Sequence, residues 1–270
     1  MLISILLPTR ENPNGLLRAI SSINNNSFFK KKIEIIIGYD EDDIVTHNFL
    51  KKKIISKVLI KIKKLKRREG YYDLAWRYHN LAKAGNGNYN LIFNDDMTIK
   101  SKNWDLTFQK EINFLPSDNI YLSYPSHNQK NKNWPISFFL SKEWIKETKK
   151  IANSFETDTE IYVISKLLKR CYKLKKIKIH HHKKQQNIQR KFIIENKLLH
   201  PKSILNMKNF FLMLKDYALL KAKINKNSVY FINKIKIKFF FIFYIILIYK
   251  HTKINYFRVL IMNFLKKNYN

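Results

Sequence analysis

Hydrophobic residues in the first hundred positions fall into short, unbroken runs. Residues 2–7 (Leu-Ile-Ser-Ile-Leu-Leu), 33–38 (Ile-Glu-Ile-Ile-Ile-Gly) and 89–93 (Tyr-Asn-Leu-Ile-Phe) carry the pattern of strands covered on both faces, as in a parallel sheet. Between them, residues 16–23 and 72–84 repeat their apolar positions at helical spacing, and the second run closes on the turn signal Gly85-Asn86-Gly87. Residues 54–62 alternate with lysines and read as a strand at the sheet edge. Strand alternating with helix predicts an α/β, Rossmann-like, mostly parallel sheet flanked by helices, with right-handed crossovers.

The second half is less regular. Residues 113–133, with Pro116, Pro125 and many polar side chains, read as loop, and 134–140 as a strand. Residues 142–152 and 158–172 read as helices, the latter with Ile161, Ile164, Leu167 and Leu168 on one face. A strand over 177–182 ends in His180-His181-His182, and lysine-rich helical sequence follows. The division expected is a catalytic-type domain over 1–190 and a basic helical extension over 191–270. Within the extension, residues 239–249 are apolar and flanked by Lys234, Lys236, Lys238 and Lys250. This run is about half the length a membrane-spanning helix needs, so an interfacial anchor or a packed helix fits better than a span.

Charge changes the picture only in part. Lys and Arg number 52 against 20 Asp and Glu, a net charge of +32. Such a field attracts phosphates, whether on nucleotides, nucleic acid or anionic lipid. The abundance of Lys, Asn and Ile throughout is also what an AT-rich genome produces, so basicity alone does not define a nucleic-acid binder. Cys171 is the single cysteine, which excludes an internal disulfide framework and a cysteine-based zinc site. The opening residues lack a basic region before their apolar run and read as a strand rather than a signal peptide, so a cytoplasmic protein, peripheral on an anionic membrane face, is expected.

Candidate chemistry lies just beyond the predicted strands. Pro8-Thr9-Arg10 follows the first, Tyr39-Asp40-Glu41-Asp42-Asp43 the second, and Asn94-Asp95-Asp96 a later one. Ligands of open α/β sheets gather outside the carboxyl ends of their strands, so these three groups belong to one edge. Paired carboxylates suit a hard divalent cation carrying phosphates, although an isolated Asp-Asp pair is also what a solvated turn contains. Trp104 and Trp134 are candidates for core packing or for stacking on a sugar. The run from Lys63 to Arg68 reads as a solvated face that can also steer a diphosphate.

The segments 3–23, 33–43 and 78–97, with Trp104-Asp105 after them, together resemble the family-2-like glycosyltransferases of the GT-A fold. The likeness is to the subgroup with Pro-Thr-Arg after the first strand and an acidic cluster after Gly-Tyr, and it covers about residues 1–182. It implies a nucleotide-sugar donor, with Pro8, Thr9, Arg10, Asp40, Asp42 and Asn80 lining the nucleotide pocket and Asp40 meeting the base. It implies that Asn94-Asp95-Asp96 stands for a DxD-type motif, with Asp95 at the sugar or ribose and Asp96 the main ligand of Mn²⁺ or Mg²⁺. It further implies a late histidine ligand, His180 or His182, and a catalytic base at Asp158, with Glu156 or Glu160 and a plain helix cap as alternatives. The acceptor implied is a glycan or lipid-linked intermediate, and no specific nucleic acid. Two rival classes fit parts of the pattern: a basic nucleic-acid-binding protein, and a nucleotidyltransferase of related topology, which would usually carry a glycine-rich loop where this chain has only Gly15.

Overall fold

A computed structural model of the 270-residue chain describes residues 3–52, 54–130, 132–182, 200–204 and 206–225. The apolar run at 239–249 lies outside the described residues. The elements in order are β1 (Ile3–Pro8), α1 (Pro13–Asn26), β2 (Ile33–Asp40), α2 (Ile44–Lys51), β3 (Leu59–Leu65), α3 (Leu74–Ala84), β4 (Tyr89–Ile92) and β5 (Met97–Ile99). They continue with α4 (Trp104–Ile112), β6 (Leu122–His127), β7 (Phe138–Ser141), α5 (Lys142–Thr148), α6 (Thr157–Leu167), β8 (Cys171–His181) and α7 (Met207–Ile224).

The strands form one sheet in the order β3-β2-β1-β4-β7-β6-β8-β5. Pairings β3/β2, β2/β1, β1/β4 and β6/β8 are parallel; β4/β7, β7/β6 and β8/β5 are antiparallel. Every residue of β1, β2 and β4 is buried, which is why those strands read as continuous apolar runs. Alternate side chains feed two cores. Leu6 and Ile36 face Tyr78, Leu81, Ile161, Phe210 and Leu214, whereas Ile5, Leu7, Ile35 and Ile37 face Leu16, Ile20, Trp104 and Phe108. Trp104 is therefore a core residue, its indole N–H donated to Ser27 Oγ at 2.9 Å. Asp105 is structural too, its two oxygens accepting the backbone N–H groups of Phe28 and Phe29 at 2.8 and 2.6 Å.

The structure departs from the expected elements where the sheet turns antiparallel. The segment expected as loop contains β6, with Pro125 inside it. Pro125 stands at a register shift against β8, a place where a missing N–H donor is tolerated. The helix expected over 158–172 stops at Leu167, and β8 begins at Cys171, its lysines on the face away from Leu174, Ile177 and Ile179. The edge position expected for the lysine-rich third strand is where β3 lies. Helix α7 packs on α5 and α6 and joins their core through Phe210, Met213, Leu214, Tyr217 and Leu220, so these residues after 191 belong to the same packed unit.

Candidate active site

The carboxyl edge of the parallel strands is built by register. Pro8 pairs with Gly38 and Asp40 with Leu65, so Thr9, the acidic loop and the loop after β3 emerge side by side. Thr9 N–H continues the ladder to the Gly38 carbonyl at 2.9 Å. The chain then turns through Glu11, whose φ of 50° is left-handed. Asp43 fixes this turn: its Oδ2 accepts the Glu11 N–H at 2.9 Å while its Oδ1 caps α2 through Thr46 N–H, also at 2.9 Å. The close approach of α3 to β2 rests on Gly38, where a Cβ would come within 2.7 Å of Leu81 Cδ2.

Asp40 is fully buried and collects three guanidiniums from three separate elements. Arg77 Nη1 of α3 lies 2.5 Å from Oδ1; Arg67 Nη1, beyond β3, lies 2.7 Å and Arg10 Nη1 3.1 Å from Oδ2. Arg10 also donates both Nη groups to Asp42 at 2.7 and 3.2 Å. Its hydrogen bond holds the Asp42 carboxyl below the usual carboxylate range, and Asp42 in return raises the guanidinium. Asp40 thus orders three cations: its Oδ2 accepts from Arg10 and Arg67, and its Oδ1 is ion-paired with Arg77.

The second group follows β4. Thr9 Oγ1 donates to Asp95 Oδ2 at 2.8 Å, which ties the first strand's loop to the acidic pair. The Tyr78 hydroxyl, on α3, donates to Asn94 Oδ1. The Asp96 carboxylate meets an imidazole, His181 Nε2, at 3.1 Å, and the Asp96 carbonyl accepts the His182 N–H at 2.8 Å. The histidine whose ring meets the acid is thus His181, not His180 or His182. Their rings face one another with centroids 4.6 Å apart, on the other side of the strand, where His182 Nε2 lies 3.1 Å from Thr98 Oγ1. Pairing with β5, which sets Met97 opposite His181 and Thr98 opposite His180, decides which face each takes.

Asp158 stands in the first turn of α6, half-buried, where the helix dipole favours an ionised carboxylate. Its Oδ2 accepts the Trp134 indole N–H at 3.0 Å and its Oδ1 the Thr159 N–H at 2.9 Å. The Trp134 ring also packs on Tyr162, at 4.9 Å. The two neighbouring acids have structural partners. Glu156 accepts from Ser203 Oγ at 3.1 Å and Ile204 N–H at 2.9 Å. Glu160 is fully buried and accepts from Asn153 and Ser154; burial raises its carboxyl despite those hydrogen bonds. That leaves Asp158 as the acid of the three that reaches solvent.

Burial, then the charges of Asp96, Asp158 and Asp95, push the Tyr78 phenol well above the usual range. Further along α3, the Asn80 side-chain amide donates to the Trp76 carbonyl at 2.8 Å, and Arg77 and Tyr78 are the residues of that helix that reach the acids. The missed residues left signals. Tyr78 and Leu81 carry the buried stripe of α3 with Arg77 beside it, and the buried alternation Ile177, Ile179 extrapolates to His181.

A short 3₁₀ turn, Gly70–Asp73, links the arginine-bearing loop to α3 and is strapped by residues 200–204. Lys202 Nζ lies 2.6 Å from Asp73 Oδ1 and 2.8 Å from Glu69 Oε1, and the His200 ring stacks on Tyr72 at 3.6 Å. Burial would raise the Asp73 carboxyl, but Lys202 and the Glu69 N–H outweigh it and hold it low. The same strap grips Glu156, so one segment fixes both the loop after β3 and the start of α6.

A curled mixed α/β sheet flanked by helices, with these acids and arginines in the loops at the carboxyl edge of its parallel strands, is consistent with the GT-A class of fold. The family profile of Glycosyl transferase family 2 matches residues 4–177, and the chain belongs to that family. The fold is similar to residues 1–349 of TarS from S. aureus, solved in complex with UDP: TM-score 0.59, 12% identity, over 96% of this chain and 75% of that one. It is also similar to the mannosyltransferase PcManGT of Pyrobaculum calidifontis, solved with GDP-Man and Mn²⁺: TM-score 0.54, 11% identity, over 97% of this chain and 83% of that one. No curated protein matches the chain in sequence. Among the described residues no helix is long and apolar enough to cross a membrane.

Among the described residues no group of three or more His, Cys, Asp or Glu side chains is arranged to hold a divalent cation. Asp96 with His181 nevertheless fits an ion of the Mg²⁺ or Mn²⁺ type. Such ions are usually held by one or two protein groups and completed by substrate phosphates and water. The buried Nδ1 of His181 has no hydrogen-bond partner among the described residues.

Proposed function

We propose that the chain transfers a sugar from a nucleoside-diphosphate donor, a UDP-sugar, to a hydroxyl group of a glycan or lipid-linked acceptor, with inversion at the anomeric carbon. The observation that carries this reading is the Asp95-Asp96 pair beyond β4, tied to the loop of the first strand through Thr9 and joined there by the arginine cluster at Asp40. The UDP bound to TarS and the GDP-Man and Mn²⁺ bound to PcManGT support it by analogy of fold.

In this reading Pro8, Thr9, Arg10 and Asp42 border the nucleotide, and Asp40 holds the guanidiniums of Arg10, Arg67 and Arg77 toward it. Asp95, oriented by Thr9, meets the ribose or the donor sugar. Asp96 and His181 would hold Mn²⁺ or Mg²⁺, and a bound cation supplies charge neutralisation for the departing diphosphate. Asp158 takes the proton of the acceptor hydroxyl. The acceptor oxygen bonds to the anomeric carbon while the bond from that carbon to the phosphate oxygen breaks, its electron pair leaving with the nucleoside diphosphate. The indole N–H of Trp134 orients the Asp158 carboxylate. General-base assistance of this kind contributes about 10²–10⁴-fold in rate.

Thermal unfolding of the full chain with UDP, GDP and CMP, each with and without Mn²⁺, tests the proposal. Stabilisation by one nucleotide that grows with Mn²⁺ is expected, because a ligand that binds only the native state raises its stability. Indifference to every nucleotide would reject it.

A further inference from the structure

Residues 200–204 touch two parts of the molecule that lie far apart in sequence. On one side is the turn Gly70–Asp73, which links the loop of Arg67 and Arg68 to α3. Gly70 has a φ of 65°, and a Cβ there would meet Arg67 Nη2 at 2.9 Å, so the turn bears on a guanidinium of the Asp40 cluster. Asp73, buried, accepts the Glu69 N–H, and Lys202 Nζ reaches Asp73 Oδ1 at 2.6 Å and Glu69 Oε1 at 2.8 Å. On the other side is the entry to α6. The Lys202 carbonyl accepts the Phe155 N–H at 3.3 Å, and Ser203 Oγ and Ile204 N–H hold the carboxylate of Glu156, the residue that precedes α6. Asp158 follows two residues later. The segment is itself braced from α7, where Asn209 Nδ2 donates to the Pro201 and Ser203 carbonyls at 2.9 and 2.8 Å. Side chain and main chain of Lys202 therefore grip the two parts at once.

We infer that Lys202 is a positioning residue, whose clamp makes the placement of Asp158 follow the state of the arginine loop. The inference rests on the transferase reading and adds a coupling between the nucleotide side of the cleft and the proposed base. Its path is contiguous: Arg67 lies on the turn, two carboxylates tie the turn to Lys202, and Lys202 holds the entry to α6. Networks of this kind can carry coupling between separate sites. A nucleotide phosphate competes with Asp40 for the guanidinium of Arg67, so binding there acts on the turn first. The lysine is hard to replace within the clamp. Asp73 is 3% exposed and costly to leave ionised without a bonded cation, and Arg68 Nε stands 3.9 Å from the oxygen that Lys202 holds. The rings of Tyr71 and Tyr72 also meet Phe155, at 5.6 and 5.1 Å, but an aromatic contact tolerates sliding that a hydrogen-bonded ion pair does not.

Fluorine NMR of the full chain carrying fluorotryptophan tests this without an acceptor. The Trp134 indole N–H is bonded to Asp158 Oδ2 at 3.0 Å, so its resonance reports on the proposed base, and Trp134→Phe identifies it among the four tryptophans. UDP, GDP and CMP are each added with Mn²⁺, and the nucleotide that raises the thermal midpoint is titrated. The Trp134 resonance should move in the unaltered chain and in Lys202→Arg. In Lys202→Met it should move less than about half as far, with the dissociation constant kept within about threefold. A merely structural role would lower the midpoint of Lys202→Met and leave the resonance as responsive as before. Glu69→Ala, which opens the clamp at its half-exposed arm, should give a similar loss and takes the place of Lys202→Met if that variant does not fold. Full movement with the clamp opened, loss of movement in Lys202→Arg, a parallel loss of nucleotide affinity, or no movement in an unaltered chain that the nucleotide stabilises would each overturn the inference. Absence of stabilisation by every nucleotide is a separate result, and it removes the transferase reading itself.

Discussion

Asp40 and Asp158 lie on the same rim of the sheet and share a side chain, yet their surroundings are opposite. Asp40 is sealed from water and meets guanidiniums of Arg10, Arg67 and Arg77. Asp158 reaches solvent and is held by two neutral donors, an indole and a backbone N–H. A buried carboxylate ringed by cations organises its neighbours. One that reaches solvent and is oriented by neutral donors remains accessible to a further partner. In the proposed reaction the first would order cations for the phosphates and the second would activate the acceptor hydroxyl.

The contrast can be broken at either end. Asp158→Asn should lower kcat for transfer by about 10²–10⁴-fold while nucleotide binding is retained. A variant of full activity would remove Asp158 from the chemistry. Asp40→Asn should instead act on the fold. It leaves the buried Arg77 without its carboxylate and takes a partner from Arg10 and Arg67, and should lower stability to urea by about 3–5 kcal/mol. A loss below about 1 kcal/mol would show that the arginines are solvated and the cluster is not an organising unit. Asp96→Ala should erase the part of the nucleotide-induced thermal shift that depends on Mn²⁺, with the metal-free shift kept; an unaltered metal response would exclude Asp96 as a ligand.

Asp216 sharpens the comparison as an acid with neither role. It is buried on α7 and accepts from Asn153 Nδ2 at 2.7 Å, and burial outweighs that hydrogen bond to raise its pKa from 3.8 to about 6. Its folded-state pKa is above its unfolded one, so its ionisation costs stability. That cost is absent below 3.8, grows as pH rises toward about 6 and is complete above. Asp216→Asn should flatten the fall in stability across this window, as followed by urea midpoints at several pH values. An unchanged slope would assign the pH response elsewhere, the neighbouring Glu160 being the obvious source.

The parallel half of the fold was legible because strands buried on both faces need no partner to be recognised: β1, β2 and β4 announce themselves as apolar runs, and their acids follow at once. β6 was hidden because its Pro125 and polar flanks mimic a loop, and only the bulge against β8 makes that sequence a strand. At the site, the positions of Asp95, Asp96 and Asp158 were readable from where their elements begin or end. The arginine cluster was not, since Arg10, Arg67 and Arg77 come from three separate segments and only the closed sheet brings them to Asp40. The histidine run shows the limit well: alternation paired His180 with His182 correctly, while the face they take depends on β5, about 80 residues earlier in the chain.

The strap at residues 200–204 gives the molecule a sense of timing. On the ribosome the first strands can pair early, and domains commonly assemble as they emerge. The turn carrying Tyr71 and the start of α6 acquire their clamps only once Lys202 and Ser203 have been made and α7 has docked. A nascent chain halted short of that point would own every acid of the cleft and still lack the brace that aligns them, so catalytic competence arrives late, all at once, rather than growing with length.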